Sequence, residues 1–259
     1  TASGDVAVLA LCRDSGETPI ATVNFANDGV KLVNGRVQPY VAAKQYTFKG
    51  IYDVQAPATL PFEFWIADTT SHLAMTNVFM GTLKGLGVLG FVNRVKNPNG
   101  FLIIDPADAS DFTGEMRIGY GTVNESVRAE YRSSKDFGGT LVLGPTSSLT
   151  PQYAAGTQWT IGTLRLESGS TLATKLTVNQ PSNVPVTSTI TLTDGLMTAY
   201  PVKLAFTQGA RKETDSTYGY EWTVLKLPKD KAEQIHPEHF VLASQNTSFP
   251  KDDFYVGLI

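Results

Sequence analysis

The residues best suited to bind a ligand lie in two polar stretches that also carry aromatic rings, residues 131–137 and 211–220. A flat aromatic surface with a few directed hydrogen bonds suits a sugar, and loops on a rigid scaffold are where recognition usually occurs. The predicted ligand-binding residues are Arg132, Asp136, Asp215 and Tyr218. The alternative is that both stretches are ordinary polar hairpin tips.

Catalytic motifs are harder to find. The chain has no G-x-S-x-G sequence, the signature of one class of serine hydrolases. Paired carboxylates occur at Asp105/Asp108 and Asp252/Asp253, but sequence alone does not place two acids across a sugar. For 105–111 a loop or a short-helix cap is the favoured interpretation. We therefore predict no enzymatic activity and no catalytic residues.

One histidine pair could bind a metal. His236 and His239 flank Glu238 at a spacing that would put them on one side of a helix. Pro237 interrupts that helix, so a solvated helix end is favoured. The sequence predicts neither a metal site nor a cofactor.

A glycine pattern at Gly85, Gly87 and Gly90 matches the G-x-G-x-x-G spacing of dinucleotide-binding loops. That motif needs a helix directly after it, whereas residues 91–96 are strand-like and run into Asn97-Pro98. We predict instead a glycine-rich strand or bulge where backbones approach closely.

Composition excludes several classes of function. The net charge is −3 and only 17% of residues are charged, so no basic excess exists to bind nucleic acid. No apolar run is long enough to span a bilayer as a helix. Cys12 is the only cysteine and is expected to be a buried apolar residue. Asn124 and Asn246 begin glycosylation sequons.

The dominant pattern along the chain is alternation of apolar and polar residues, as in 116–120, 127–131, 187–193 and 202–207. Strands of this kind bury one face, which is typical of antiparallel sheets. Turn signals such as 27–29, 138–139 and 194–195 favour hairpins. The predicted fold is all-β: an antiparallel sandwich, jelly roll or barrel with one or two short helices, the best candidate at 228–235.

The same pattern shows no internal repeat. The stretch 144–151, continuing to 156, reads as a linker or a long loop. We favour one β-rich unit spanning 1–259, and the alternative is two lobes, 1–146 and 157–259.

Two segments resemble coat proteins of non-enveloped RNA viruses. Asp5-Val-Ala-Val-Leu-Ala, followed by Asp14-Ser-Gly-Glu and Asp28-Gly-Val-Lys-Leu, resembles part of the projecting domain of calicivirus capsid proteins. Leu227-Pro-Lys-Asp is similar to a Leu-Pro segment of that family, although the order along the chain differs. Asp252-Asp-Phe-Tyr-Val-Gly is similar to the last strand of picorna-like jelly-roll subunits.

This resemblance implies a structural and recognition protein at the virion surface. Its expected partners are copies of itself, other coat subunits, and a host receptor or glycan, with no nucleic acid contact and no membrane insertion. The first alternative is a bacterial surface adhesin or carbohydrate-binding module, placed outside the cell or on its surface. The second is a β-rich glycan hydrolase, which would need two acids with separated pKa values in a cleft.

Overall fold

The computed structural model describes eleven segments of the chain. They are residues 7–11, 20–39, 45–66, 76–93, 101–120, 126–133, 135–151, 158–179, 184–186, 189–208 and 223–244. Nearly all of them form strands.

The strands belong to two large sheets. Sheet A contains, in spatial order, β1 (Val8–Leu11), β3 (Arg36–Pro39), β5 (Phe62–Trp65), β8 (Val88–Val92), β10 (Glu115–Ile118), β12 (Phe137–Leu143), β14 (Gln158–Leu166), β17 (Thr189–Thr198) and β19 (Leu225–Lys226). Sheet B contains β2 (Ile20–Leu32), β4 (Gln45–Val54), β6 (Thr76–Phe79), β9 (Phe101–Ile104), β11 (Arg128–Tyr131), β13 (Ser148–Pro151), β15 (Thr171–Asn179), β18 (Val202–Gln208) and β20 (Phe240–Ser244). Two short strands flank this path: β7 (Thr82–Gly85) pairs with β4, and β16 (Val184–Val186) pairs with β15.

The chain passes from one sheet to the other at almost every step. Within the described residues every strand pairing is parallel except that of β15 with β16. Parallel pairing is the strand arrangement of α/β-type folds, where helices make the crossovers. Here a strand of the opposite sheet makes each crossover, so the backbone winds into a stack of two-strand coils, a β-solenoid.

The predicted antiparallel sandwich, jelly roll or barrel is therefore wrong. Alternating burial is real: Met116 and Ile118 in β10 are fully buried, while Arg117 between them is partly exposed. In a solenoid one side of every strand faces the interior and the other faces outwards, which produces the same alternation as an antiparallel sheet. The pattern reports burial on one face and carries no information on strand direction.

The core lies between the two sheets as columns of stacked side chains. One column contains Val37, Phe64, Phe91 and Ile118, which are register partners and are evenly spaced along the sequence. Phe64 and Phe91 stack with ring centroids 5.6 Å apart. Phe48, from sheet B, meets Phe64 at 4.9 Å. Each such buried side chain stabilises the fold by about 1.5–3 kcal/mol.

The turn signals mark irregularities inside strands. Residues 27–29 lie within β2, 138–139 within β12 and 194–195 within β17, so the predicted hairpin tips are wrong. The pairing register shifts at each of these places. Extra residues on one strand are accommodated as bulges, which glycine permits.

The middle of the chain stays within the sheets. β13, which lies in the stretch that reads as a linker, pairs with β11 on one side and β15 on the other. The predicted helix at 228–235 exists as a 3-10 helix at Lys229–Gln234, and a second follows at Pro237–His239. Among the described residues no helix has the length and apolar character to cross a membrane.

Candidate functional site

The predicted ligand-binding residues are not gathered at a site that the structure describes. Arg132 and Asp136 are exposed on the connection between β11 and β12. The Nε of Arg132 donates a hydrogen bond to Oε1 of Glu130, and this bond raises the pKa of Arg132. Asp215 and Tyr218 lie outside the described residues.

The acids at 105–111 form a turn. Asp108 Oδ1 accepts hydrogen bonds from the backbone nitrogen of Ser110 at 3.0 Å and from its hydroxyl at 2.9 Å. These bonds hold the pKa of Asp108 below its ordinary value. Asp108 is therefore a turn-stabilising residue, in agreement with the loop interpretation, and Asp252 and Asp253 lie outside the described residues.

The histidine pair lies beside the last residue of β17, Thr198. The rings of His236 and His239 are 4.8 Å apart, and His239 Nδ1 is 2.8 Å from the hydroxyl of Thr198. Across the described ranges, no group of three or more His, Cys, Asp or Glu side chains is placed to hold a metal ion. Cys12 and the sequon residues Asn124 and Asn246 fall outside those ranges.

Two of the three glycines of the G-x-G-x-x-G pattern, Gly85 and Gly87, confirm the prediction of close backbone approach. Gly85 has a φ of 103°, and a Cβ there would lie 2.3 Å from the backbone oxygen of Val54. A Cβ on Gly87 would lie 2.5 Å from the backbone nitrogen of Ala56. A Cβ on Gly90 would lie 2.5 Å from Cε1 of Tyr120. The first two glycines let coils stack, and the third makes room for a side chain on the outer surface.

The Tyr120 side chain belongs to a cluster on the outer face of sheet A. We call it the outer patch, and its members are Arg36, Glu63, Trp65, Arg117 and Tyr120. Arg36, Glu63, Gly90 and Arg117 are successive register partners on β3, β5, β8 and β10. Adjacent strands are about 4.8 Å apart, so these four positions span about 14 Å.

Tyr120 lies across the middle of the outer patch. Gly119, with a φ of 61°, follows the last residue of β10 and directly precedes Tyr120. The ring lies over Gly90, and the hydroxyl donates a hydrogen bond to Oε1 of Glu63 at 2.6 Å. Alternation along 116–120 predicts Tyr120 on the buried face with Met116. That prediction is wrong, because the regular strand stops at Ile118.

Glu63 and Trp65 form the centre of the patch. The indole nitrogen of Trp65 donates to Oε2 of Glu63 at 2.8 Å, so each carboxylate oxygen of Glu63 accepts a bond from an aromatic residue. The guanidinium of Arg36 lies 4.6 Å from the Trp65 ring centroid. Its Nε donates to Oε1 of Gln38 at 2.9 Å. These contacts hold both rings and both charges in fixed positions.

Arg117 connects the patch to its surroundings. Its guanidinium lies 5.5 Å from the ring centroid of Tyr120, forms an ion pair with Glu115, and donates from Nη1 to the backbone oxygen of Ala58 at 3.4 Å. Arg165, on β14, reaches the same Glu115 carboxylate at 3.4 Å. The network of polar contacts thus crosses sheet A from β3 to β14.

A depression of about 330 Å³ opens beside the patch. Arg36, Glu63 and Trp65 line it together with Asn34, Gly35, Leu60 and Pro61. Its volume lies at the lower end of the range for small-molecule sites. Apolar, aromatic, acidic and basic groups therefore meet at one concave place on the sheet.

Sequence reasoning missed the outer patch. Its members, from Arg36 to Tyr120, are distant along the chain, and only the coil register brings them together. The even spacing of apolar positions, one coil apart, is the signal that would have aligned them.

Comparison with known proteins adds no relative. No protein-family model matches the chain, and neither a curated protein nor a solved structure matches it.

Proposed function

We propose that this protein is a recognition module that binds glycan through the outer patch of sheet A. One observation carries the proposal: hydrogen bonds and a cation–π contact connect four side chains beside a depression of about 330 Å³, namely Trp65, Tyr120, Glu63 and Arg36. Partly exposed aromatic rings offer apolar area to a sugar ring, and charged groups offer directed hydrogen bonds to its hydroxyls.

The rigidity of the scaffold supports binding as the role of this patch. Trp65 and Tyr120 are held by hydrogen bonds to the same carboxylate, so little side-chain freedom remains to be lost when a ligand binds. The rungs of sheet A also repeat at about 4.8 Å, which presents side chains in a row to an extended ligand.

The proposal keeps the recognition role that the sequence predicts and favours the adhesin or carbohydrate-binding alternative. The virion hypothesis relied on resemblances to the calicivirus projecting domain and to a picorna-like jelly-roll subunit, and the parallel coils differ from a jelly roll. The proposal includes a location outside the cell or on its surface, where glycans are present.

Binding to an oligosaccharide array, followed by calorimetry on the glycans retained, tests the proposal. We expect Trp65→Ala to weaken binding at least about tenfold, because it removes an aromatic anchor. Tyr200→Ala is the matched control, because Tyr200 is also an exposed aromatic residue, at 63%, and does not belong to the patch. The proposal fails if no glycan is retained, or if the two variants lose binding equally.

A further inference from the structure

We infer that the depression beside Trp65 takes an anionic sugar, with the acidic group of the ligand bound by Arg36. This inference rests on the proposed function and narrows its ligand class. The shared chemistry is a pyranose ring carrying a carboxylate or a sulfate.

The pairing of charges on the outer face of sheet A points to Arg36. Arg117 pairs with Glu115, and Arg165 pairs with both Glu115 and Glu167. Arg36 forms no ion pair with any carboxylate in the described part of the chain. Its Nε is used by the neutral amide of Gln38, which leaves the Nη donors for a ligand.

The position of Arg36 suits an anion that arrives from the depression. The guanidinium lies on the indole ring of Trp65 at 4.6 Å from the centroid, and both residues line the depression. A planar guanidinium held in this way can bind a carboxylate through two parallel hydrogen bonds.

Glu63 is placed to bind the hydroxyls of the same sugar ring. Its carboxylate accepts bonds from Trp65 and Tyr120, and these donors offset part of its negative charge toward the depression. A carboxylate can accept several hydrogen bonds, so one from a sugar hydroxyl can add to these, while Leu60 and Pro61 offer apolar contact to the ring. One acidic group, several hydroxyls and an apolar ring face together describe a uronic acid or a sulfated sugar.

The test compares sugars that differ only in the acidic group. The probes are methyl glucuronoside, methyl glucoside and methyl glucoside sulfated on its primary hydroxyl, with the corresponding galactose series, and binding is titrated by nuclear magnetic resonance. We expect at least one anionic sugar to bind about tenfold more tightly than its neutral counterpart, and added salt to reduce that advantage. The carboxylate and sulfate probes distinguish the two sources of negative charge.

Variants at Arg36 separate charge from shape. Arg36→Gln should abolish the preference for anions, measured as the ratio of anionic to neutral affinity, and Arg36→Lys should restore part of that ratio, because lysine keeps the charge without the planar donors. Arg132→Gln removes an exposed arginine elsewhere and should change nothing. If neutral sugars bind as tightly as anionic ones, or if Arg36→Gln leaves the preference intact, the inference is wrong while glycan binding stands. Failure of every glycan on the array would overturn the proposed function as well.

Discussion

Replacing Gly90 with alanine tests how the outer patch is built. The new Cβ would lie 2.5 Å from Cε1 and 2.8 Å from the hydroxyl oxygen of Tyr120, so the ring must move. Movement breaks the 2.6 Å hydrogen bond to Glu63 and the contact with Arg117. A hydrogen bond to a charged group contributes about 1.5–3 kcal/mol, and an exposed cation–π contact about 0.5–1 kcal/mol. We expect Gly90→Ala to lower the free energy of unfolding by about 2–3 kcal/mol.

The decisive measurement is a double-mutant cycle with Tyr120→Ala. With the ring absent, the clash disappears, and Gly90→Ala should stabilise the strand by about 0.5–1 kcal/mol, because glycine loses more backbone freedom than alanine on folding. Urea unfolding followed by circular dichroism gives the four free energies, provided that the denaturant slope stays constant. The reasoning is refuted if Gly90→Ala has the same effect in both backgrounds to within about 0.5 kcal/mol.

Three other predictions test the coils themselves. Phe64→Ala should lower the free energy of unfolding, measured in urea, by about 3–5 kcal/mol, because this ring is only 2% exposed and contacts aromatic rings of both sheets. A loss below about 1 kcal/mol would contradict the stacked core. Gly144→Ala should lower the free energy of unfolding by roughly 3 kcal/mol or more, because the new Cβ would overlap the backbone oxygen of Gly119 at 1.3 Å. Gly138→Ala is the control and should lower it less, because the nearest atom to its new Cβ is 3.0 Å away. Equal losses in the two variants would refute this reasoning. Burial raises the pKa of Tyr131 above its ordinary value, so above a pH of about 10 the unfolded state releases a proton that the folded state keeps, and stability should fall. Between pH 8 and a pH above 10, the urea midpoint of Tyr131→Phe should fall less than that of the natural chain. An equal fall in the two proteins would count against that burial.

Strand positions were largely predictable from the sequence, but strand direction was not. The apolar faces at 116–118 and 190–192 are buried as the alternation predicts. Direction depends on which strands become neighbours, and neighbours in a solenoid are about one coil apart in sequence. Spacing along the column from Val37 to Ile118 is even. The interval then becomes shorter at Leu143 and shorter again at Leu166, which obscures the repeat.

The candidate site was less predictable than the fold elements. The glycine pattern was correctly interpreted as close approach, yet the object approaching Gly90 is a tyrosine from the following coil of sheet A. The alternation along 116–120 predicted that the Tyr120 side chain is buried. Because β10 ends at Ile118, this side chain lies on the outer face instead. The side chains of the patch come from three different coils, so local composition, which singled out 131–137, could not reveal them.

The winding of the chain lets the length of the molecule change without disturbing its recognition surface. Each coil touches only the coils before and after it, so stability is close to a sum of neighbour terms. The outer patch occupies β3 to β10, and whole turns could be inserted or deleted beyond β14 without altering the distance between Trp65 and Tyr120. In such an architecture reach and specificity can evolve separately, the first by the number of windings and the second by a handful of outward-facing side chains.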